Sequence, residues 1–346
     1  MSLRQIFVDR GIGETRGVVT LDGRPERLLI SRSGDVQHLA LGARLVARVA
    51  SVEPAISSAF LDLGSGFEAI LPFKPDARPV RGATVEIEIR AEPRDGKLAI
   101  ARITGDGEGS PRLLSIPPDL AQQLQAFARD AVPLEGRQAR DMADEAELEA
   151  LETIHALPGG GTLAIESTRA LTAIDVDLGE RKGEDVKRVS RLSNLQALSE
   201  AARLLRLKGL GGLIIIDLVG RGHDGNALLS AARVAFAADN PGVAIGPVGR
   251  FGTMELSIPR RMRPVLERLR NPDGSLCDRT VVQRVVRRLE TEAEIQPGAR
   301  LVAKCSPSVA KGVNGLFRDL SARFGDRFLV RDEEGWSHDR YSVSAE

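Results

Sequence analysis

The run Gly212 to Asp217, GLIIID, restricts the fold of this chain more than any other stretch. A short, wholly apolar segment of this kind reads as a strand covered on both faces. Just before it, SNLQALSEAARLLRLKG reads as a helix that stops at Gly209, where glycine suits a left-handed C-terminal residue. Earlier still, TLAIES and ALTAIDVD alternate apolar and polar residues and form a hairpin around Thr168–Arg169. Hairpin, helix and buried strand make a crossover unit, which returns the last strand beside and parallel to the hairpin. Asp175 and Asp217 then stand near the carboxyl ends of neighbouring strands.

Asp175 and Asp177 are two residues apart on a strand, so the side-chain period aims both at one face. Asp217 ends an apolar run, and an ionised carboxylate leaving a core needs solvent, a donor or a metal. The arrangement suits Mg²⁺, which takes one or two protein carboxylates and completes its shell with water and phosphate. Such an ion polarises a phosphodiester and orients a water for in-line attack. Arg181, Arg188, Arg221 and Arg250 surround the acids and match phosphates as guanidinium forks. Read from composition alone, plain strand-end caps or pairing with arginines is the commoner use of Asp175 and Asp217.

Around this unit the pattern predicts several further modules, as 346 residues allow. IFVD, GVVTLDG and ERLLIS form a β-meander whose GIGETRG is a turn. From Asp35 to Thr104 short alternating strands suggest a small closed barrel. Helices are expected near 118–130 and 141–155, then at 225–238 ahead of a strand at VAIGPVG. The tail predicts a helix over 276–293, a strand RLVAKC, a helix over 307–323 and a terminal hairpin of RFLVRD with WSHDRYSV. The segment PRRMRPVLERLR at 259–270 reads equally as an RNA-backbone contact or as a solvated basic stretch.

Lysine plus arginine equals aspartate plus glutamate, 48 each, so net charge is silent on nucleic acid. Aromatics at 3% limit base-stacking platforms to a few phenylalanines. Cys277 and Cys305 fit neither a disulfide framework nor a self-contained zinc site, and the four histidines are scattered singly. No stretch approaches the roughly 18 apolar residues of a membrane helix, and MSLRQIFVDRG lacks a secretory apolar segment. The expectation is a soluble cytoplasmic chain without a membrane partner.

GGGTLAIESTRALTAIDVDLG, followed by SNLQALSEAARLLRLKGLGGLIIIDLV, resembles the catalytic core of the ribonuclease E/G family. RFGTMELSIPR, Arg250 to Arg260, resembles the family's segment after the last catalytic strand. The resemblance implies an α+β multidomain fold with an S1-like OB-fold barrel at 35–104 inserted in an RNase H-like subdomain, 1–34 and 105–158. It places a DNase I-like α/β catalytic domain at 159–275 and a small α/β C-terminal domain at 276–346. It implies Mg²⁺ on Asp175 and Asp217, Asp177 beside them in the catalytic set, and RNA contacts from Phe60, Lys97 and Arg250. The activity implied is endonucleolytic cleavage of single-stranded RNA to 5′-phosphate ends, in RNA processing or decay.

Four departures qualify the likeness. Asp177 stands where the family has asparagine, which makes a non-catalytic RNA-binding regulator the main rival reading. Ile70 replaces a second barrel aromatic, and Phe60 by composition also suits a barrel core. The paired zinc-binding cysteines are missing, with only Cys277 nearby, which removes a zinc-linked dimer while leaving a homo-oligomer open. The Arg-Thr pair that reads a 5′-monophosphate is also absent. A metabolic enzyme acting on small phosphate compounds would share the carboxylates and leave the barrel unexplained.

Overall fold

Strands Arg4–Arg10 (β1), Glu14–Leu21 (β2) and Arg24–Arg32 (β3) pair antiparallel in sequence order, turning at Gly11–Gly13 and Asp22–Gly23. They belong to a computed structural model of the chain that describes residues 3–94, 96–180 and 185–346; Arg181 lies outside the described residues. Both faces of this sheet are buried. Ile6, Val8, Val19 and Leu29 point one way, and Phe7, Val18, Leu28 and Ile30 the other.

Between β3 and the rest of that subdomain lies the barrel, built from Arg44–Glu53 (β4), Ser58–Asp62 (β5), Glu68–Pro72 (β6), Thr84–Ala91 (β7) and Ala99–Asp106 (β8). The order β5-β6-β8-β7-β4 closes through a β4–β5 pairing, an OB-like topology with β6 and β8 parallel. Alternation drives it: Val85, Ile87, Ile89 and Ala91 face inward while Glu86, Glu88 and Arg90 face out. Arg112–Ser115 (β9) then pairs with β4, extending this sheet past residue 104.

Leu120–Gln125 (α1) opens with a reciprocal capping box between Asp119 and Gln122, and it seats Leu120 and Leu124 on the first sheet. Gly17 makes the room, since a Cβ there would stand 2.1 Å from Leu120 and 2.4 Å from Leu124. Pro133–Leu134 (β10) adds a parallel edge beside β1, and Arg137–Leu151 (α2) covers the opposite face with Ala139, Ala143, Ala146 and Ala150.

The second large sheet combines Ile154–Ala156 (β11), Thr162–Ser167 (β12), Thr172–Asp177 (β13), Gly212–Asp217 (β14), Ala244–Val248 (β15) and Thr253–Ile258 (β16). Val186–Lys208 (α3) is the crossover that brings β14 parallel to β13, ending at Gly209 in the left-handed conformation. Gly225–Ala235 (α4) follows, and the spatial order is β11-β12-β13-β14-β16-β15. The helices pack on one face only. Ile214 and Ile216 are buried against them, whereas Leu213 is 44% exposed, so β14 is covered on one face and not on both as its composition suggested. The reason is β16, which pairs antiparallel with β14 and needs no helical crossover over the other face.

From Glu200 to Lys208 every residue of α3 is buried, because the helix fills the space between this sheet and β3. Its charges are matched in place. Arg24 holds Glu200 at 2.7 Å, Arg206 meets Glu26 at 2.9 Å and Asp239 at 2.8 Å, and the Lys208 ammonium donates to the carbonyls of Ala150 (2.9 Å) and Glu152 (2.5 Å) at the end of α2.

Val265–Leu269 (α5) leads to the C-terminal part: Asp278–Ile295 (α6), Leu301–Cys305 (β17), Pro307–Asn314 (α7), Phe317–Phe324 (α8), Phe328–Asp332 (β18) and Tyr341–Ala345 (β19). The expected terminal hairpin is not formed. β17 takes the central place, parallel to β18 and antiparallel to β19. The helix expected over 307–323 breaks at Gly315–Leu316 into α7 and α8, which lets both lay apolar residues on one core. Cys305 is buried in that core and Cys277 is partly exposed, both free thiols.

A buried ion network fastens α6 to the first sheet. The fully enclosed Arg16 guanidinium binds Asp9 (2.7 Å), Asp144 (2.7 Å) and Glu147 (3.1 Å), and Arg287 of α6 binds Glu14 and Glu147. Burial alone would raise the Glu147 carboxyl, yet Arg287, Arg16 and Arg284 hold it below its ordinary value. Arg16→Met leaves these carboxylates without their shared cation, so a loss of about 3–5 kcal/mol is expected in urea unfolding; a change under 1 kcal/mol would disprove the network's role.

His155 on β11 is 5% exposed, and burial, followed by the Lys208 charge, pulls its pKa down to about 4. The unfolded chain takes up that proton near pH 6.5 and the folded chain only near 4. Stability therefore falls as pH drops through this window, by up to about 3 kcal/mol. Urea titrations at several pH values should show this acid slope shrinking in His155→Phe; an unchanged slope would assign it elsewhere.

Candidate active site on the open face of the central sheet

Strand register decides which side chains share the uncovered face. Asp175 pairs directly with Asp217 across β13 and β14, and Ala164 and Thr253 complete that row on the outer neighbours. Paired residues of adjacent strands point to the same side, with strands about 4.8 Å apart. The buried–exposed alternation of β13 confirms the side: Thr172, Ile174 and Val176 are buried, while Ala173, Asp175 and Asp177 are exposed. Glu166, Ala173, Ile215 and Glu255 form the next row, and Asp177 lies opposite Thr162 beyond the first. Five carboxylates thus share one solvent face.

The expected meeting of Asp175 and Asp217 is found, and neither has a hydrogen-bond or ion-pair partner among the described residues. This removes the arginine-paired alternative for the described part of the chain. Two like charges directly opposite each other on a sheet repel, so the pair favours a cation between them. Among the described residues no group of three or more histidine, cysteine, aspartate or glutamate side chains converges into a protein-only metal cage. A two-carboxylate site finished by water and phosphate fits Mg²⁺ better than it fits Zn²⁺, which prefers nitrogen and sulfur ligands. Asp177 shares the face, but its carboxylate accepts the Gly179 amide at 2.7 Å.

Loops at the carboxyl edge hold this row in place. Gly161 has φ +84°, and a Cβ on it would stand 2.3 Å from the Asp177 carbonyl oxygen, so the GGG loop can lie against β13 only as glycine. Asn194, buried in α3, donates from Nδ2 to the Val219 carbonyl (2.9 Å) and accepts the Val219 amide on Oδ1 (3.0 Å). That clamp fixes the chain two residues after Asp217. Sequence reading passed over Asn194, although an asparagine inside a strong helix is itself a signal, since it forfeits helix propensity. Beside the clamp a cavity of about 530 Å³ opens between the first turns of α3 and α4, with Lys187, Arg191, Arg221 and His223 on its walls.

The other nominated residues fall in two groups. Arg188, Arg221 and Arg250 are exposed at the same carboxyl edge, on α3, the β14–α4 loop and the β15–β16 turn. Phe60 and Lys97 belong to the barrel. Ala59 and Leu61 flank Phe60 and point inward, so Phe60 faces out beside Ile70 and, across β6, Ile100; it is not a core residue of the barrel. Lys97 is exposed in the β7–β8 connection, three residues before Ile100.

Two arginines of 259–270 are engaged by the protein itself, whereas Arg261, Arg263 and Arg270 are exposed. Arg260 donates to the Gly211 carbonyl (2.7 Å), and Arg268 binds Asp35 (3.2 Å) and the barrel's Glu92 (3.1 Å). Glu92 also accepts the Arg263 amide, and its own amide donates to Arg261. The segment ties the barrel to the central sheet.

Asn194→Ala removes both bonds to the Val219 peptide inside the protein, so a stability loss of about 2 kcal/mol is expected by thermal unfolding. Amide exchange at 218–220 should rise in the variant; unchanged exchange there would show that other contacts fix the loop.

The sequence pattern of the Ribonuclease E/G family matches residues 117–261, a span that contains Asp175, Asp177, Asn194 and Asp217. Ribonuclease E of Escherichia coli (strain K12) is 39% identical over 113 residues, 32% of this chain and 11% of that protein. Ribonuclease G of Haemophilus influenzae is 25% identical over 203 residues, 54% of this chain and 41% of that protein. The chloroplastic ribonuclease E/G-like protein of Arabidopsis thaliana is 32% identical over 129 residues, 36% of this chain and 13% of that protein. The aligned part therefore spans less than half of each of these relatives. Residues 117–261 of the chain thus match the ribonuclease E/G family, and ribonuclease E and ribonuclease G are among the proteins it is similar to.

Proposed function

We propose that this chain is a Mg²⁺-dependent endoribonuclease that grips single-stranded RNA and cuts its phosphodiesters beside Asp175 and Asp217, leaving 5′-phosphate ends. The observation that carries the reading is two solvent-facing carboxylates in direct register, without ion-pair partners among the described residues. The ribonuclease E and ribonuclease G relatives support it. Mg²⁺ held there supplies positive charge to a phosphoryl oxygen and an acidified water.

The chain's own residues supply the rest. Arg188, Arg221 and Arg250 stand at the strand ends to take flanking phosphates. In this reading the barrel presents Phe60 to a base and Lys97 to the RNA backbone. The RNase H-like (1–34, 105–158), DNase I-like (159–275) and small C-terminal (276–346) assignments belong to the same proposal, as do cytoplasmic residence and the absence of a zinc-linked dimer. Among the described residues no helix is long and apolar enough to cross a membrane. A non-cutting RNA-binding regulator is the second reading, motivated by Asp177, whose carboxylate is engaged by Gly179 where the resemblance implies asparagine.

Labelled single-stranded RNA should be cut with Mg²⁺ and left whole with chelator. Asp175→Asn and Asp217→Asn should each slow cutting at least about 100-fold, with RNA affinity held within a few-fold. Binding without cutting by the unaltered chain, together with cutting by Asp177→Asn, selects the regulator; absence of RNA affinity defeats both readings.

A further inference from the structure

The turn from β15 to β16, Gly249–Arg250–Phe251–Gly252, carries an aromatic side chain that packing does not explain. Phe251 is 77% exposed, while the other nine phenylalanines are buried or half-buried. The turn is closed by the Gly249 amide on Thr253 (2.7 Å) and the Gly252 amide on Gly249 (3.0 Å). The Leu218 amide, directly after Asp217, donates to the Gly252 carbonyl at 3.2 Å, and Thr253 pairs with Asp217. Two residue steps and one strand spacing therefore limit the distance from the Phe251 Cα to the Asp217 Cα to about 13 Å.

The ring also has a cation beside it. The Arg250 guanidinium lies 4.6 Å from its centroid, a cation–π contact that covers one face of the ring. Gly252 has φ +86°, and a Cβ there would come within 3.3 Å of His223 Nε2, so the turn abuts the 218–223 loop closely. A solvated aromatic with a cation beside it, at the edge of an acidic face, has the chemistry that single-stranded nucleic acid uses: a base on the ring and a phosphate on the arginine.

We propose that Phe251 is a stacking platform for the base of the nucleotide flanking the one held at Asp175 and Asp217, with Arg250 taking the backbone phosphate between them. The inference rests on the RNA-cleaving reading and adds a positioning residue to it. Stacking of this kind is sequence-tolerant, because every base offers a π face.

Two measurements test it, with RNA carrying 2-aminopurine or an abasic residue next to the cut position. In chelator, binding should quench 2-aminopurine with the unaltered chain and Phe251→Tyr, and not with Phe251→Leu. With Mg²⁺, Phe251→Leu should lower cleavage efficiency about 5- to 100-fold on intact RNA and add nothing to the loss caused by the abasic residue. Equal cutting by the unaltered chain and Phe251→Leu, or losses that multiply, overturns the platform and leaves the nuclease standing. Quenching without any cutting keeps the platform and removes the nuclease. Concentration-dependent dimerisation abolished by Phe251→Leu would reassign the ring to a second copy of the chain and overturn the proposal.

Discussion

Four charged side chains lie in the buried half of α3, and the architecture holds because each meets an opposite charge or a carbonyl within reach. Glu200, Arg203, Arg206 and Lys208 would each be costly to enclose alone. Here Arg24 and Glu26 come from the first sheet, Glu149 and the last carbonyls from α2, and Asp239 from beyond α4. One helix is thereby keyed to three neighbouring elements at once. Burial pushes Lys208 down to about 8, and its bonds to the end of α2 also satisfy carbonyls that a helix terminus leaves open.

The same helix explains why the acids are accessible. Because α3 and α4 occupy one face of the central sheet, and β16 returns antiparallel at its edge, the opposite face carries no helical layer. Carboxylates there keep their water and cost little. What packing does instead is fix the backbone beneath them, through Asn194 under one strand end and Gly161 against the other. Precision in the acidic row comes from buried amides and close backbone contact, while the carboxylates remain in solvent.

Much of this was legible in the chain. The hairpin–helix–strand order forecast the parallel pairing of Asp175 with Asp217, since local periodicity and crossover length determine it. The barrel was legible through alternation in β7 and its neighbours. Non-local pairing was not. Nothing in Thr253–Ile258 announces that β16 inserts between β14 and β15, and nothing in the tail announces that β17 separates β18 from β19. Phe60 illustrates a subtler limit: composition favours a core phenylalanine, and only register with Ile70 reveals that it faces out. The arginines of 259–270 were ambiguous because their partners, Asp35, Glu92 and Gly211, are remote in sequence.

The barrel enters through β4 and leaves through β9, and these strands are hydrogen-bonded neighbours, Arg44 opposite Ser115. To the rest of the molecule, some seventy intervening residues therefore resemble a loop whose ends already touch. The entropy of closing such a loop grows only with the logarithm of its length. An appendage joined in this way can grow, shrink or be exchanged over generations while the host's strand order, and the acidic row it supports, stay the same.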